Sequence, residues 1–188
     1  MHNSGGFPPR ECCLTPSPLS CSAQSILLPR TPLHMDMLVK LYDLPDSREI
    51  FAALSRDGIS VRRAMAPDKH KILAFVKKEF SDAWASETEV AFSRAPITCF
   101  IAARGRDLIG FANHDATCPN FFGPTGVLAS ARNKGVGKAL LLACLEDMRA
   151  QGFAYAIIGG VGPAEFYAKS VGAVAIEGSA PGIYRGLL

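Results

Sequence analysis

The spacing of hydrophobic and polar positions changes along the chain, and the changes predict a mixture of strands and helices. Alternating apolar residues at 59–63 indicate a strand, whereas apolar residues at 72–80 recur at helical spacing. Strand-like stretches follow at 97–103 and 108–112, with a turn at Gly105 between them. This part of the chain therefore predicts a strand, a helix and an antiparallel hairpin.

The remaining predicted elements are shorter or rest on capping residues. Ser47 is placed to cap a helix that ends at Gly58, and Pro67 fits a first helical turn. The further predictions are strands at 39–41, 126–129, 155–158, 174–176 and 183–184, and helices at 48–55, 87–92, 134–149 and 163–170. Their order indicates an α/β (α+β) fold with a largely antiparallel sheet and one strand–helix–strand unit in its second half.

Residue composition and the predicted elements divide the chain into three parts. Residues 1–34 are rich in Pro, Ser and Cys, and their prolines would interrupt any helix or central strand, so this tail is predicted to be disordered. Residues 35–57 are predicted as a short strand–helix extension, and residues 58–188 as the main domain.

Composition excludes several classes of protein. Among 188 residues, 48% are hydrophobic and 20% charged, which favours a packed core over general disorder. The net charge of +3 is spread along the chain, so no nucleic-acid surface is expected. With no apolar run of about 18 residues and no signal peptide, we expect a soluble cytoplasmic protein without a membrane partner. The six cysteines form no metal pair or disulfide ladder, so no metal site is predicted.

One segment carries a pattern with chemical meaning. After the predicted strand at 126–129, the chain passes Gly135 and Gly137 and enters a helix. The first amides of a helix have no internal acceptor, so this turn predicts a phosphate or pyrophosphate site, with Lys134 and Lys138 adding positive charge. The alternative, that the glycines serve only strand–helix packing, stays open for so short a motif.

Two other phosphate loops do not fit the segment. A Walker A loop requires a glycine and a Ser or Thr at positions where Arg132 and Ala139 stand. A Rossmann fingerprint requires a third glycine and an acidic residue closing the next strand, which here ends in Ile158-Gly159.

The motif resembles that of a known family. Residues 132–137 (RNKGVG) resemble the Gln/Arg-x-x-Gly-x-Gly/Ala coenzyme A loop of the GNAT superfamily of N-acetyltransferases. Residues 164–172 (AEFYAKSVG) resemble its Ala-x-x-Leu/Phe-Tyr-x-Lys-x-Gly helix, with one extra residue before the glycine. Residues 122–126 and 181–184 are similar to a bacterial branch whose acceptors are uncharacterised. The resemblance, from about residue 58 to the end, implies a GNAT-like mixed, largely antiparallel sheet flanked by helices.

The resemblance also implies residue roles. Acetyl-coenzyme A would be the cosubstrate, with its pantetheine arm pairing with the strand at Val127 and Leu128. Tyr167 would lie beside the sulfur as general acid. The family's Asn seven residues before this tyrosine is replaced by Gly160. The backbone amides that would hold the pyrophosphate are those of Arg132, Asn133, Lys134, Gly135, Val136, Gly137 and Lys138.

The general base is not defined by a motif. Many relatives place a glutamate near the strand before the loop, but residues 121–130 contain no acid. Glu87, Glu89, His114 and Asp115 are candidates by approximate position, as is a water relay, and Glu89 is taken as the provisional base. Phe80 and Trp84 would line the acceptor pocket or pack in the core.

The predicted function is transfer of an acetyl or short acyl group from acyl-coenzyme A to a primary amine by direct attack. The acceptor, a small molecule or a peptide, is not specified by the sequence, and a homodimer is left open. Two alternatives remain: a module that binds acyl-coenzyme A without turnover, and an α/β protein of another family with structural glycines.

Overall fold

The computed structural model describes Met1 and residues 35–186, so the predicted tail at 1–34 lies outside the described residues apart from Met1. The strands are β1 (Met37–Lys40), β2 (Ile59–Arg63), β3 (Cys99–Arg104), β4 (Asp107–His114), β5 (Phe121–Val127), β6 (Tyr155–Ile158) and β7 (Val174–Ala175). The helices are α1 (Arg48–Arg56), α2 (Lys69–Glu79), α3 (Asp82–Phe92), α4 (Val136–Ala150) and α5 (Ala164–Val171).

The seven strands form one sheet in the order β2-β3-β4-β5-β6-β1-β7. All neighbouring strands are antiparallel except β5 and β6, which are parallel and joined through α4. The mixed, largely antiparallel sheet with one strand–helix–strand unit confirms the predicted fold class. Strand β1 lies between β6 and β7, so the segment set apart as an extension contributes to the same sheet.

Helices lie on both faces of the sheet. Successive residues of each strand point to opposite sides, so each face contributes apolar residues to a core. One core packs α1, α4 and α5 against residues such as Phe100, Ala112 and Phe122. The other packs α2 and α3 against Ile101 and Phe111. Within residues 35–186, no helix combines the length and the apolar character needed to cross a membrane.

Helix α3 begins earlier than the apolar pattern predicts. The Ser81 hydroxyl accepts a hydrogen bond from the Trp84 amide at 3.1 Å, which caps a helix starting at Asp82 rather than Glu87. The first turn contains Asp82, Ala83 and Trp84, whose mixed polarity conceals the helix until Ser81 is recognised as a cap. The earlier start matters because it extends the helix that carries Glu87 and Glu89.

Strand β5 lies upstream of the predicted strand at 126–129. It runs from Phe121 to Val127, and Gly123-Pro124 lies opposite the single residue Asn113 of β4. This extra residue is a β-bulge, the position at which a sheet tolerates a proline and a glycine. The glycines and the proline concealed the strand, since they are rare in a regular one.

The predicted strand at 183–184 is wrong. These residues belong to a single 3₁₀ turn, Gly182–Tyr184, and β7 pairs with β1 instead. Two apolar residues after Pro-Gly do not distinguish a strand from a turn, and here the Tyr184 ring contacts Gly159 and Gly160.

Candidate active site

The sheet opens at the parallel pair. β5 and β6 are paired only at Phe121–Ile157 and Phe122–Ile158, where β6 ends. From Gly123 to Val127, β5 is bonded to β4 on one side, and among residues 35–186 no strand occupies its other side. Unpaired backbone groups on a strand edge can bind an extended ligand carrying amides, as β-augmentation does.

The first turn of α4 lies beside this opening. Gly135 precedes the helix with a left-handed φ of 80°, and Asn133 is also left-handed, with a φ of 60°. The first intrahelical bond joins the Ala139 amide to the Gly135 carbonyl, so by helix geometry Val136, Gly137 and Lys138 direct free amides outward. This geometry suits an anion such as pyrophosphate.

The remaining residues of the predicted loop lie around this turn. Arg132, Asn133 and Lys134 are exposed, whereas Lys138 is half-buried. The Arg132 Nε donates to the Val127 carbonyl at 3.2 Å, which fixes the end of β5 against the loop. Val127 and Leu128 are half-buried at that end of the strand.

Helix α5 forms the other side of the opening. A Cβ added to Gly137 would lie 3.7 Å from both Phe166 of α5 and Val127 of β5, so the three elements converge here. The adjacent Tyr167 is buried, with its ring in edge contact with Phe122 and Phe166. Burial raises the pKa of Tyr167 to about 12, so its hydroxyl is protonated at neutral pH.

Glu87 and Glu89 point to different sides of α3, because residues two apart on a helix are separated by about 200°. The Glu89 side chain is 58% exposed and pairs with Lys69 Nζ at 2.9 Å. Glu87 is half-buried and accepts a hydrogen bond from the Thr117 hydroxyl. Of these two candidates for the base, Glu87 is therefore the less exposed and the one that contacts Thr117.

Thr117 and Tyr184 were not identified from the sequence. The Tyr184 hydroxyl would lie 2.8 Å from a Cβ at Gly159, which places the ring at the end of β6, beside the opening. Burial raises the pKa of Tyr184, the neighbouring Thr117 hydroxyl lowers it, and the charges of Glu87 and Asp36 raise it further. We call Glu87, Thr117 and Tyr184 the acceptor-side cluster, after the role that we propose for them.

Asp36 lies behind this cluster and is buried. Its Oδ1 accepts a hydrogen bond from the Gly160 amide at 2.8 Å, and its own amide donates to Ser179 Oγ at 2.8 Å. Gly160, which stands where the family has an asparagine, adopts a φ of 55° there. The carboxylate of Asp36, the residue before β1, thus holds the backbone at Gly160.

Two further base candidates are tied up in the interior. His114 Nδ1 lies 2.7 Å from Asp115 Oδ2, and His114 Nε2 lies 2.8 Å from Asp147 Oδ2. Burial alone would raise the pKa of Asp115, but hydrogen bonds from His114 and the Asn120 amide, with the charges of His114 and Arg94, lower it overall. Both ring nitrogens of His114 are therefore engaged by carboxylates.

The aromatic residues proposed for an acceptor pocket pack together. Phe80 stacks on Trp84 with ring centroids 5.6 Å apart, and both rings meet Phe111 edge-on. A Cβ at Gly126 would lie 2.5 Å from Phe80, so this glycine is required by the close approach of the ring to β5. Phe80 and Trp84 thus belong to the core beneath α2 and α3.

The comparison with protein families decides the classification. A family model described as "Acetyltransferase (GNAT) family" matches residues 69–172, more than half of the chain. The chain belongs to the GNAT acetyltransferase family. The match contains both candidate motifs and the whole of β3 to β6. No match was found among curated proteins.

Solved structures with the same fold include a glucosamine N-acetyltransferase region of a fungal multi-domain β-N-acetylglucosaminidase, at 15% identity and a TM-score of 0.63. This chain aligns over 77% of its own length and 20% of that one. A GCN5-related N-acetyltransferase from Sphaerobacter thermophilus matches at 18% identity and a TM-score of 0.60, over 78% of this chain and 50% of that one. The chain thus spans about a fifth of the first protein and about half of the second. At such low identities, the likeness shows the fold alone.

Proposed function

We propose that the protein transfers an acetyl or short acyl group from acyl-coenzyme A to a primary amine, with acetyl-coenzyme A as cosubstrate. One observation carries the proposal: the unpaired edge of β5, the free amides of α4 and the Tyr167 side of α5 converge on a single opening. The family match supports the reaction class. A GNAT family acetyltransferase from Brucella melitensis was solved in complex with acetyl-CoA, at 14% identity and a TM-score of 0.49, over 63% of this chain and 86% of that one.

In this proposal, the cosubstrate is bound mainly by backbone groups of the protein. The pyrophosphate accepts hydrogen bonds from Val136, Gly137 and Lys138, and the residues from Arg132 to Gly135 shape the turn around it. The two amides of the pantetheine arm pair with β5 between Gly123 and Leu128, where the sheet lacks a strand. The thioester then lies near Tyr167, at the narrow end of the opening.

The amine must lose a proton to attack, because an alkylamine with a pKa of about 10 is only about 0.1% neutral at pH 7. We assign this role to Glu87, acting directly or through a water, since its carboxylate is half-buried and faces Thr117 and Tyr184. The ammonium first loses one proton through Glu87 to solvent. The nitrogen–carbon bond then forms and the carbon–sulfur bond breaks. The nitrogen gives up a second proton, which reaches the departing thiolate through solvent, so the products are the amide and the free thiol.

Tyr167 acts on the leaving sulfur. Its pKa of about 12 lies above the ~8.5 of an ordinary thiol, so complete proton transfer to the thiolate would be uphill by about 5 kcal/mol. We therefore assign Tyr167 chiefly as a hydrogen-bond donor to the developing thiolate. Among residues 35–186, the structure records no hydrogen bond that already engages its hydroxyl.

Calorimetric titration with acetyl-coenzyme A tests the proposal, with NAD and ATP as controls. Release of the free thiol is then measured with glucosamine, spermidine and a peptide with a free N-terminus. Binding with amine-stimulated thiol release supports the proposal. Binding without stimulated release would indicate a non-catalytic acyl-coenzyme A module, and no binding by a folded sample would refute the proposal.

A further inference from the structure

The buried side chain of His114 lies between two carboxylates. The ring has no solvent exposure, and each of its nitrogens lies within 2.8 Å of an aspartate oxygen, one from Asp115 and one from Asp147. An ionised carboxylate only accepts hydrogen bonds, so two short contacts of this kind require an N–H on each ring nitrogen. A neutral imidazole has one N–H and would turn a lone pair toward the other carboxylate.

Further charged and aromatic groups surround the ring. Asp147 also pairs with the Arg63 guanidinium, and Arg63 lies over the Phe100 ring that stacks on His114. With a protonated ring, Asp147 has both Arg63 and the imidazolium as direct partners, and Asp115 has the imidazolium, with the charge of Arg94 close by. Each buried carboxylate is then paired, which avoids the cost of an isolated buried charge.

The other titratable groups nearby do not carry the proton. Burial raises the pKa of the Cys99 thiol to about 12 and raises that of Cys144 well above its usual value, so both stay neutral. Burial alone would raise the pKa of Asp147, but its bonds to Arg63 and His114 lower it, so its carboxylate is ionised. The Arg94 side chain donates to the Asp115 carbonyl at 3.0 Å rather than to its carboxylate.

Asp115 also determines the conformation of the loop at 115–120. Its Oδ1 accepts a hydrogen bond from the Asn120 amide, and its own amide donates to the Phe121 carbonyl at 2.8 Å. Both Asp115 and Asn120 adopt left-handed φ values, 52° and 68°, which non-glycine residues keep only when other contacts hold them. This loop contains Thr117, whose hydroxyl donates a hydrogen bond to Glu87 in the acceptor-side cluster.

We propose that His114 is a doubly protonated positioning residue that ties the loop at 115–120 to α4 and thereby fixes the acceptor-side cluster. One end of the tie is the Asp115 carboxylate, which closes the loop, and the other is Asp147 on the helix whose first turn faces the cosubstrate. Only the catalytic consequence rests on the proposed function; the protonation state and the order of the loop do not.

Nitrogen-15 NMR of the histidine rings in the full chain tests the protonation state. At pH 7, both ring nitrogens of His114 should show the protonated pattern, with ring protons that exchange slowly with solvent. His114→Gln removes and so assigns these signals, and His70→Gln, on an exposed side chain, leaves them unchanged. If His114→Gln does not fold, Asp115→Asn assigns them by shifting the Nδ1 resonance. A neutral ring with one protonated nitrogen would overturn the proposal.

Hydrogen exchange tests the positioning role without any ligand. In His114→Gln, or in Asp147→Asn if needed, the amides of Asn120 and Phe121 should exchange about 10-fold faster or more, while those of α2 change little. An equal acceleration throughout the chain would indicate only a packing role for the ring and would contradict the proposal. Because neither measurement uses acetyl-coenzyme A, failure of the transferase proposal is seen separately, as absence of binding by the wild type.

Discussion

The two sides of the opening are built in different ways. The proposed pyrophosphate site is one continuous segment, from Val127 through the first turn of α4, whose backbone is set by its own glycines. The acceptor side joins Glu87 of α3, Thr117 of a loop and Tyr184 near the C-terminus, which are 30 residues apart or more. Chemistry performed by backbone amides is therefore encoded locally, and chemistry performed by side chains depends on the whole fold.

The largest expected effect lies on the cosubstrate side. Gly137→Glu should weaken acetyl-coenzyme A binding by about 100-fold or more, because like charges brought together cost several kcal/mol. Calorimetry measures this. Gly137→Ala is the control, since its Cβ would meet neighbours at an ordinary 3.7 Å. Gly135 is a poorer probe because its φ of 80° strains any substitution. Retained affinity in Gly137→Glu would place the ligand elsewhere.

The acceptor side is tested by the two glutamates of α3. Glu87→Gln should lower amine-stimulated thiol release by about 100-fold while leaving acetyl-coenzyme A affinity nearly unchanged, because a positioned base contributes about 10²-fold or more. Glu89→Gln, on the opposite side of α3, should change the rate by less than about twofold. The reverse result would return the base to Glu89, and equal small effects would favour a water relay.

A smaller loss is expected from Tyr167→Phe, which should slow turnover by roughly 10- to 100-fold, the value of one hydrogen bond to a charged group. The affinity for acetyl-coenzyme A should hardly change, since the ring keeps its contacts. Tyr155→Phe is the matched control because Tyr155 is exposed and, within residues 35–186, its hydroxyl contacts only that of Tyr42. An unchanged rate in Tyr167→Phe would remove Tyr167 from the mechanism.

The smallest effect concerns stability against acid. The pKa values of Asp115 and Asp147 are lowered in the fold, so their contribution is complete above about pH 5, begins to fall near the unfolded value of ~3.9 and is lost only below the lower folded values. Asp147→Asn should therefore reduce the free energy of unfolding at pH 7, and the difference from wild type should shrink toward pH 3. Urea unfolding at several pH values measures both, and a pH-independent difference would contradict the assignment.

The same division explains what the sequence could predict. The loop at 132–138 was identified because glycines followed by an amphipathic helix are a local signal. Strand β6 was placed correctly as a short apolar run, whereas β5 was misplaced because a bulge admits Gly123 and Pro124. The roles of the loop residues and of Tyr167 stay predictions.

The acceptor-side cluster could not be predicted, for a physical reason. Thr117 is one polar residue in a loop, and Tyr184 sits after a Pro-Gly pair that also suits a strand end. Thr117 is bonded to Glu87 of α3, and Tyr184 lies against Gly159 at the end of β6; no spacing along the chain records these contacts. Glu87 and Glu89 could not be separated from the sequence, because they differ in tertiary contacts, to Thr117 and to Lys69 respectively.

The missing pairing partner on β5 gives the ligand a second effect, on the lifetime of the folded chain. A molecule that completes the sheet binds only the native state, so it shifts the unfolding equilibrium by mass action, by about 2.7 kcal/mol at 100 times its Kd. The durability of this protein in a cell would then rise and fall with the supply of its acyl donor. When the donor is scarce, the edge of β5 would be left unpaired and the folded state would lose this stabilisation.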